Sequence, residues 1–426
     1  MQKLMLDFPV FEYPQNIDLP HNYPGMNQAT EWSRDFYELA FWGIDEWGDR
    51  MFLNKKSEPS KKRLLFNHAF KYALGLGFSK YGSELPIPLG VWAHEEFHRS
   101  ALGVSGTASK NGNWIFHRWD GTVYGISDES LDLLKARDIN QLLYSYVAGV
   151  QYEAYLNQRI TVDDFYNNRS LYKNPLLLYN AYYVFNYFRF STSSLSDSVK
   201  VIAPEFEDAN PINRDYAGAD LTAWTYDMFN PELPFTSRDS FPNGNGVNRR
   251  VGFSDLSAEA QDFLIKQRKL SLLNFLNPAV FFINRIKIGD NLSLNLFAQY
   301  VPTYFGNDVA LYVPVKYNNY KLLFGLHNYN NYDEAAYGLT LAINDYEITE
   351  KINVDFCADI WKQPASFLDN SMQFGGALNT SLKYRFRSNF SGGINFSYKS
   401  KGWVIGNPYL SENISIGLGL NYKLVK

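Results

Sequence analysis

The last third of the chain alternates. From about residue 280 to residue 425, segment after segment places an apolar side chain at every second position. Over residues 351–360 one face holds Ile352, Val354, Phe356, Ala358 and Ile360, and the other Lys351, Asn353, Asp355, Cys357 and Asp359. At the end of the chain Ile414, Ile416, Leu418, Leu420, Tyr422 and Leu424 alternate with Asn413, Ser415, Gly417, Gly419, Asn421 and Lys423. Successive side chains of a strand point to opposite faces, so this period specifies strands with one apolar and one polar face. Turns such as GDN and KYNNYK separate the segments and no helical period intervenes. The pattern predicts an antiparallel meander of about eight strands.

Alternation does not say which face meets water. The expected strands run roughly 9 to 14 residues, closer to the length of membrane strands than of soluble ones. The polar face mixes Gly, Ser, Asn and opposite charges, which suits the narrow lumen of a small barrel. Tyr300, Tyr317, Tyr329, Trp361, Tyr384, Tyr398 and Tyr422 fall near strand ends, where an interfacial girdle would stand. Aromatic residues make up 17% of the chain although its mean hydropathy is negative, as expected of rings with one apolar and one wet end. The final segment resembles the last strand of Gram-negative outer-membrane proteins, departing from them by ending in Lys426. The expectation is a transmembrane β-barrel over 280–426, surrounded by lipid in a bacterial outer membrane and too narrow to conduct. No apolar run is long enough for a transmembrane helix. The opening MQKLMLDFPVFEYPQN is not a secretory leader, because its apolar run is short and Asp7 interrupts it; outer-membrane residence therefore implies a leader already removed.

Residues 1–275 read as a mainly helical domain, so the whole is α+β. Helical spacing is expected over about 28–53, 59–78, 87–102, 128–158, 174–190, 219–229 and 255–275. Ser127 or Asp128 is the expected cap of the fourth, and Pro175 the first-turn proline of the fifth. Residues 105–125 read as a hairpin or short loop-rich sheet, and 229–250 as a long loop. Forty Lys plus Arg against 44 Asp plus Glu leave no basic field for nucleic acid. The single cysteine, Cys357, excludes an internal disulfide and any Cys-rich metal site.

One motif in the helical part carries chemistry. The string VWAHEEFHRSALG contains His94, Glu95 and His98 as HExxH. On a helix, positions i and i+4 share a face, so both imidazoles can reach one zinc ion, and Glu95 can act as general base on its water. Glu96 points elsewhere. The region 87–160 resembles the gluzincin metallopeptidases, and the resemblance implies a third ligand from a later helix. Glu153, beside Ala148 and Gly149 on an otherwise apolar helix face, is the expected one. Asp220 and Asp215, in NPINRDYAGADLTAW, are the alternatives; they resemble the downstream Asp of site-2 proteases. The third His of metzincins is absent, since that position is Val104. His117 is a candidate donor to an oxyanion. These readings together imply a zinc-dependent, membrane-anchored peptidase acting on a peptide or protein. The competing expectation is a non-enzymatic outer-membrane protein whose globular part binds a protein partner.

Overall fold

The alternating segments pair as expected, and they recruit the N-terminus. A computed structural model describes residues 3–14, 25–53, 58–167 and 173–425. It begins with β1 (Lys3–Tyr13), α1 (Met26–Phe52), α2 (Lys61–Tyr81), α3 (Gly90–Gly103), β2 (Lys110–Asn111) and β3 (Val123–Tyr124). Six helices follow: α4 (Asp128–Arg137), α5 (Ile139–Tyr166), α6 (Asn174–Ser191), α7 (Ser194–Ile202), α8 (Asp220–Phe229) and α9 (Ala258–Ser271). The rest is strand: β4 (Ile286–Ile288), β5 (Leu292–Leu294), β6 (Phe297–Thr303), β7 (Gly306–Tyr317), β8 (Tyr320–Asn330), β9 (Ala335–Thr349), β10 (Ile352–Pro364), β11 (Met372–Arg387), β12 (Phe390–Lys399) and β13 (Asn413–Val425).

The large sheet has 11 strands in the order β1-β13-β12-β11-β10-β9-β8-β7-β5-β4, with β6 also on β7. The expected count of about eight is therefore too low. β1 was not foreseen as a strand, because a register shift between Pro9 and Phe11 breaks its alternation. The path ends at β1 on one side and β4 on the other, and no β1–β4 pairing is present among the described residues. The sheet is thus an open path and not a closed barrel. It is nevertheless concave, since inward residues of β8 to β13 and of β1 line one cavity of about 640 Å³ together with Tyr155, Arg159 and Asp163 of α5.

Register sorts the two faces. Val354, Leu382, Ile394, Leu418 and Phe11 lie side by side across five strands and point outward. Asp355, Ser381, Asn395, Gly417 and Glu12 form the neighbouring inward row. Lys383 pairs with Asp355 at 2.9 Å within the concavity. The polarity is inside out relative to a water-soluble sheet, whose apolar face would pack inward.

The helices sit at one end of this sheet and penetrate it. At that end Tyr144 of α5 donates to the Asn407 carbonyl (2.8 Å), and Trp403 Nε1 donates to Gln151 Oε1 (3.3 Å). At the far end of α5, Val162, Phe165 and Tyr166 pack against Phe297, Tyr312 and Leu323 of the inner sheet face. One hydrophobic core runs from Met26 through α5 and α8 to Trp403. The expected boundary near 275–280 is therefore not a break in packing. The single helix expected over 128–158 is two, because Asp138 leaves the helical region (φ −154°, ψ 80°) and its side chain caps α5 by accepting from Gln141 N. Ser127 caps α4, accepting from Ser130 N at 3.2 Å.

The free edge of β1 is covered by side chains of α1. Asp35 Oδ1 accepts from Asp7 N (3.1 Å), and the Pro9 carbonyl accepts from Gln28 Nε2 (3.2 Å) and Trp32 Nε1 (3.0 Å). An exposed strand edge invites pairing with other chains; here the Asp7 N–H and the Pro9 carbonyl are already taken by α1.

Candidate metal centre

The HExxH segment lies on α3, whose residues from Trp92 to Gly103 are all buried. His94 and His98 stand one turn apart, with ring centroids 4.9 Å from each other. The neighbouring helix α5 fixes both rings by their outer nitrogens. His94 Nδ1 is 3.0 Å from Glu153 Oε1, and His98 Nδ1 is 2.6 Å from the Ser145 carbonyl. Tyr216 Oη lies 3.1 Å from His98 Nδ1. A carbonyl only accepts, so His98 Nδ1 carries the proton, and the carboxylate of Glu153 selects the same tautomer in His94. In the neutral rings both Nε2 lone pairs are left outside these bonds, beside Gly149 of α5.

They face Asp220. Its Oδ2 is 3.7 Å from His94 Nε2 and 3.4 Å from His98 Nε2. Among the described residues these three side chains are the group able to hold a metal ion, with donor atoms all within 4.8 Å. Donors at about 2.0–2.2 Å from a shared ion in tetrahedral geometry stand about 3.4 Å apart, close to the two distances from Asp220 to the imidazoles. Tyr187 of α6 donates to Asp220 Oδ2 at 2.7 Å.

Glycine makes the arrangement possible. A Cβ on Gly149 would lie 2.2 Å from His98 Nε2 and 2.3 Å from His94 Nε2. Any side chain on α5 at that point would occupy the space between the two donor atoms. The backbone of α5 approaches closely enough for Ser145 and Glu153 to hold the rings only because residue 149 has none.

Asp220 is held by the other end of its own helix. Asp227 is fully buried on α8 and binds Lys135 Nζ (2.8 Å), Arg238 Nη2 (2.8 Å) and Tyr146 Oη (3.0 Å). These bonds tie α8 to α4, α5 and the loop after α8. The segment leading into α8 is laid on the short hairpin by Tyr216 N to the Val123 carbonyl (2.9 Å) and Gly125 N to the Ile212 carbonyl (2.8 Å). Asp227→Ala is expected to leave two buried cations without their partner and to cost about 3–5 kcal/mol of stability. Chemical denaturation read by circular dichroism measures this, and an unchanged midpoint would contradict the anchoring role.

The site is electrostatically prepared for positive charge. Burial alone would raise Asp220, but the two imidazoles hold its carboxyl well below the usual carboxylate range. Burial alone would lower His94, but Glu153 and Asp220 raise it well above the usual imidazole value. Glu95 is pushed well up, first by burial and then by the charges of Asp220, Asp215 and Asp120, against the opposing pull of His94. Asp215 is pushed up to about 6 by burial, with Arg250 opposing and Asp220 adding to the rise. A bound divalent cation would relieve this crowding of carboxylates, which is how a preformed site selects one.

The geometry favours Asp220 over Glu153 as the third donor. Glu153 is not in the donor cluster; it lies on the Nδ1 side of His94, where it orients the ring and fixes its tautomer. Asp220, the second choice from sequence, occupies the third position. His117 is also outside the cluster, with its Nδ1 hydrogen-bonded to the Asn111 carbonyl and its ring against Tyr124. Glu96 is buried in an ion pair with Arg99 (2.7 Å) and accepts from Asn111 Nδ2 (2.7 Å), which fastens the short hairpin to α3. Ser145, Tyr187 and Tyr216 were not anticipated, since nothing in their local sequence marks a hydroxyl or carbonyl as facing a histidine.

The two carboxylates are expected to separate in a titration. Asp220→Ala removes a donor and should abolish stoichiometric zinc binding, whereas Glu153→Gln keeps the donors and should weaken binding about 10–100-fold. Competition with a chromogenic chelator distinguishes them, and equal losses would contradict the assignment.

Comparison with protein-family models, with curated proteins and with solved structures returned no match for this chain. The functional reading therefore rests on the site and on the sheet.

Proposed function

We propose that this chain is a membrane-anchored, zinc-dependent hydrolase, of the peptidase class that its HExxH resemblance implies. His94, His98 and Asp220 are the zinc ligands, and Glu95 is the general base. The observation that carries this reading is the convergence of His94 Nε2, His98 Nε2 and Asp220 Oδ2 next to a buried Glu95. When bound there, zinc supplies Lewis acidity toward a carbonyl and acidifies a water. Glu95 takes the proton of the attacking water and delivers it to the leaving amine. Glu153 and the Ser145 carbonyl keep both imidazoles in the ligating tautomer, and Tyr187 holds Asp220. Burial of the site strengthens each of these charge interactions.

The support for membrane anchorage is the outward row of large apolar side chains. Phe356, Ile360, Leu382, Ile394, Phe396, Ile416, Leu418 and Leu420 are all exposed. A contiguous band of this size would be a strong liability in water and is the normal surface of a barrel in lipid. Ile394→Arg is expected to cost about 2–4 kcal/mol of stability in bilayers; if the sheet faced water, the same change would stay within about 0.5 kcal/mol. Urea titration in lipid vesicles decides between them.

The enzymatic reading is tested with detergent-solubilised protein and labelled casein. Hydrolysis that a chelator abolishes and added zinc restores supports it. Zinc binding with no hydrolysis of casein or of a mixed peptide library would favour a non-catalytic membrane protein instead.

A further inference from the structure

We infer that the hairpin of α1 and α2 is part of the membrane-embedded wall, filling the seam between β1 and β4 with its outer face against lipid acyl chains; this rests on reading the sheet as a membrane barrel.

The first observation is where the hairpin sits. On one side α1 packs along β1, capping its edge through Gln28, Trp32 and Asp35, and Trp32 stacks on Phe8 at 5.5 Å. On the other side, Tyr72 of α2 meets Phe282, four residues before β4, at 5.9 Å. The hairpin therefore reaches β1 on one side and the segment leading into β4 on the other, at the two ends of the sheet that do not pair with each other.

The second observation is its polarity. In a water-soluble helix the apolar stripe faces the core and the polar face is wet. Here charged side chains share the buried face with apolar ones, and the large exposed side chains are apolar. α1 buries Arg34, which pairs with Asp7 (2.7 Å) and Asp163 (2.8 Å), alongside Tyr37 and Phe41, and Lys71 of α2 is buried between the two helices against Asp45 of α1. The outward face of α1 exposes Phe36, Leu39, Trp47 and Met51. That of α2 exposes Leu65, Phe66 and Leu76, with Ala69 and Ala73 between them and His68 as the one interruption. The exposed face is thus apolar, as the outer face of the sheet is, and the adjoining β1 exposes Phe8, Val10 and Phe11.

The third observation is what bounds the outer stripe. Arg50, Lys61, Lys62 and Arg63 lie at the hairpin tip, and Lys80 and Tyr81 at the other end of α2. Cationic and aromatic residues flanking an apolar stretch match the headgroup layers on either side of a hydrocarbon core. Among the described residues, no helix is long and apolar enough to cross a membrane by itself. A helix with one face against the polar interior of a barrel need not be, because that face never meets lipid.

Nitroxide labels placed on single cysteines in a Cys357→Ser background test this in phosphatidylethanolamine–phosphatidylglycerol vesicles. Phe66→Cys and Leu76→Cys report the hairpin, Ile394→Cys the sheet, and Leu133→Cys, exposed on α4, the aqueous reference. Relaxation by dissolved oxygen is expected to exceed relaxation by a water-soluble nickel chelate at 66, 76 and 394, and the order to reverse at 133. Labels at 66 and 76 that behave like 133, while 394 remains lipid-like, would overturn the seam assignment and leave the barrel standing. A water-like label at 394 as well would overturn both.

Discussion

Glu95→Gln is expected to remove hydrolysis while leaving metal content unchanged. Gln has the same shape and hydrogen-bonding reach as Glu but no basic oxygen, and Glu95 is not among the three converging donors. General-base contributions are typically about 10²–10⁴-fold in rate, so kcat/KM should fall by at least that range. The pH profile carries the same signature. The base works only when ionised, so activity in the wild-type protein should be lost as pH falls through the pKa of Glu95 in the loaded site. That acid limb should be absent from any residual activity of the variant. A variant that loses metal along with activity would instead make Glu95 a structural part of the centre.

Gly149→Ala is expected to destroy the centre with one methyl group. The added carbon would stand 2.2–2.3 Å from both Nε2 atoms, well inside van der Waals contact. The histidines cannot easily retreat, because Glu153 and the Ser145 carbonyl grip their other nitrogens. Either the rings rotate out of those bonds or α5 moves away from α3, and each outcome separates the donors. Elsewhere in an exposed helix the same change would be stabilising by about 1 kcal/mol. The expected result is therefore loss of zinc binding and activity. Retained stoichiometric zinc would show that the donors do not converge beside residue 149.

How much of this was visible in the sequence depends on what each pattern encodes. Periodicity told strands from helices, and it placed α1, α3, α6, α8 and the C-terminal meander close to where they are. It does not encode which side faces out. Phe36 and Leu39 keep helical spacing in α1, yet they point away from the protein while Arg34 and Asp35 point in. β1 escaped notice because its bulge at Pro9 and Phe11 interrupts the alternation that defines a strand. In the site, the HExxH spacing gave His94, Glu95 and His98 directly, since i and i+4 on one helix are set by local geometry. The third donor is set by tertiary packing. Glu153 and Asp220 are both buried carboxylates that contact His94, one at Nδ1 and one at Nε2. Sequence reasoning correctly placed Glu153 on a buried helix face, but not on which side of the imidazole it would fall. Asp220 sits after a loop rich in Gly and Ala, and its position follows from the Asp227 anchor seven residues further along α8, a tertiary feature with no local signature.

Elemental analysis of the full-length protein, purified from membranes in detergent without added metal or chelator, tests the proposed centre most directly. One equivalent of zinc per chain is expected, retained in Glu95→Gln and lost in Asp220→Ala. Protein with no bound transition metal that also fails to take up zinc on titration would contradict the assignment of His94, His98 and Asp220 as a metal site.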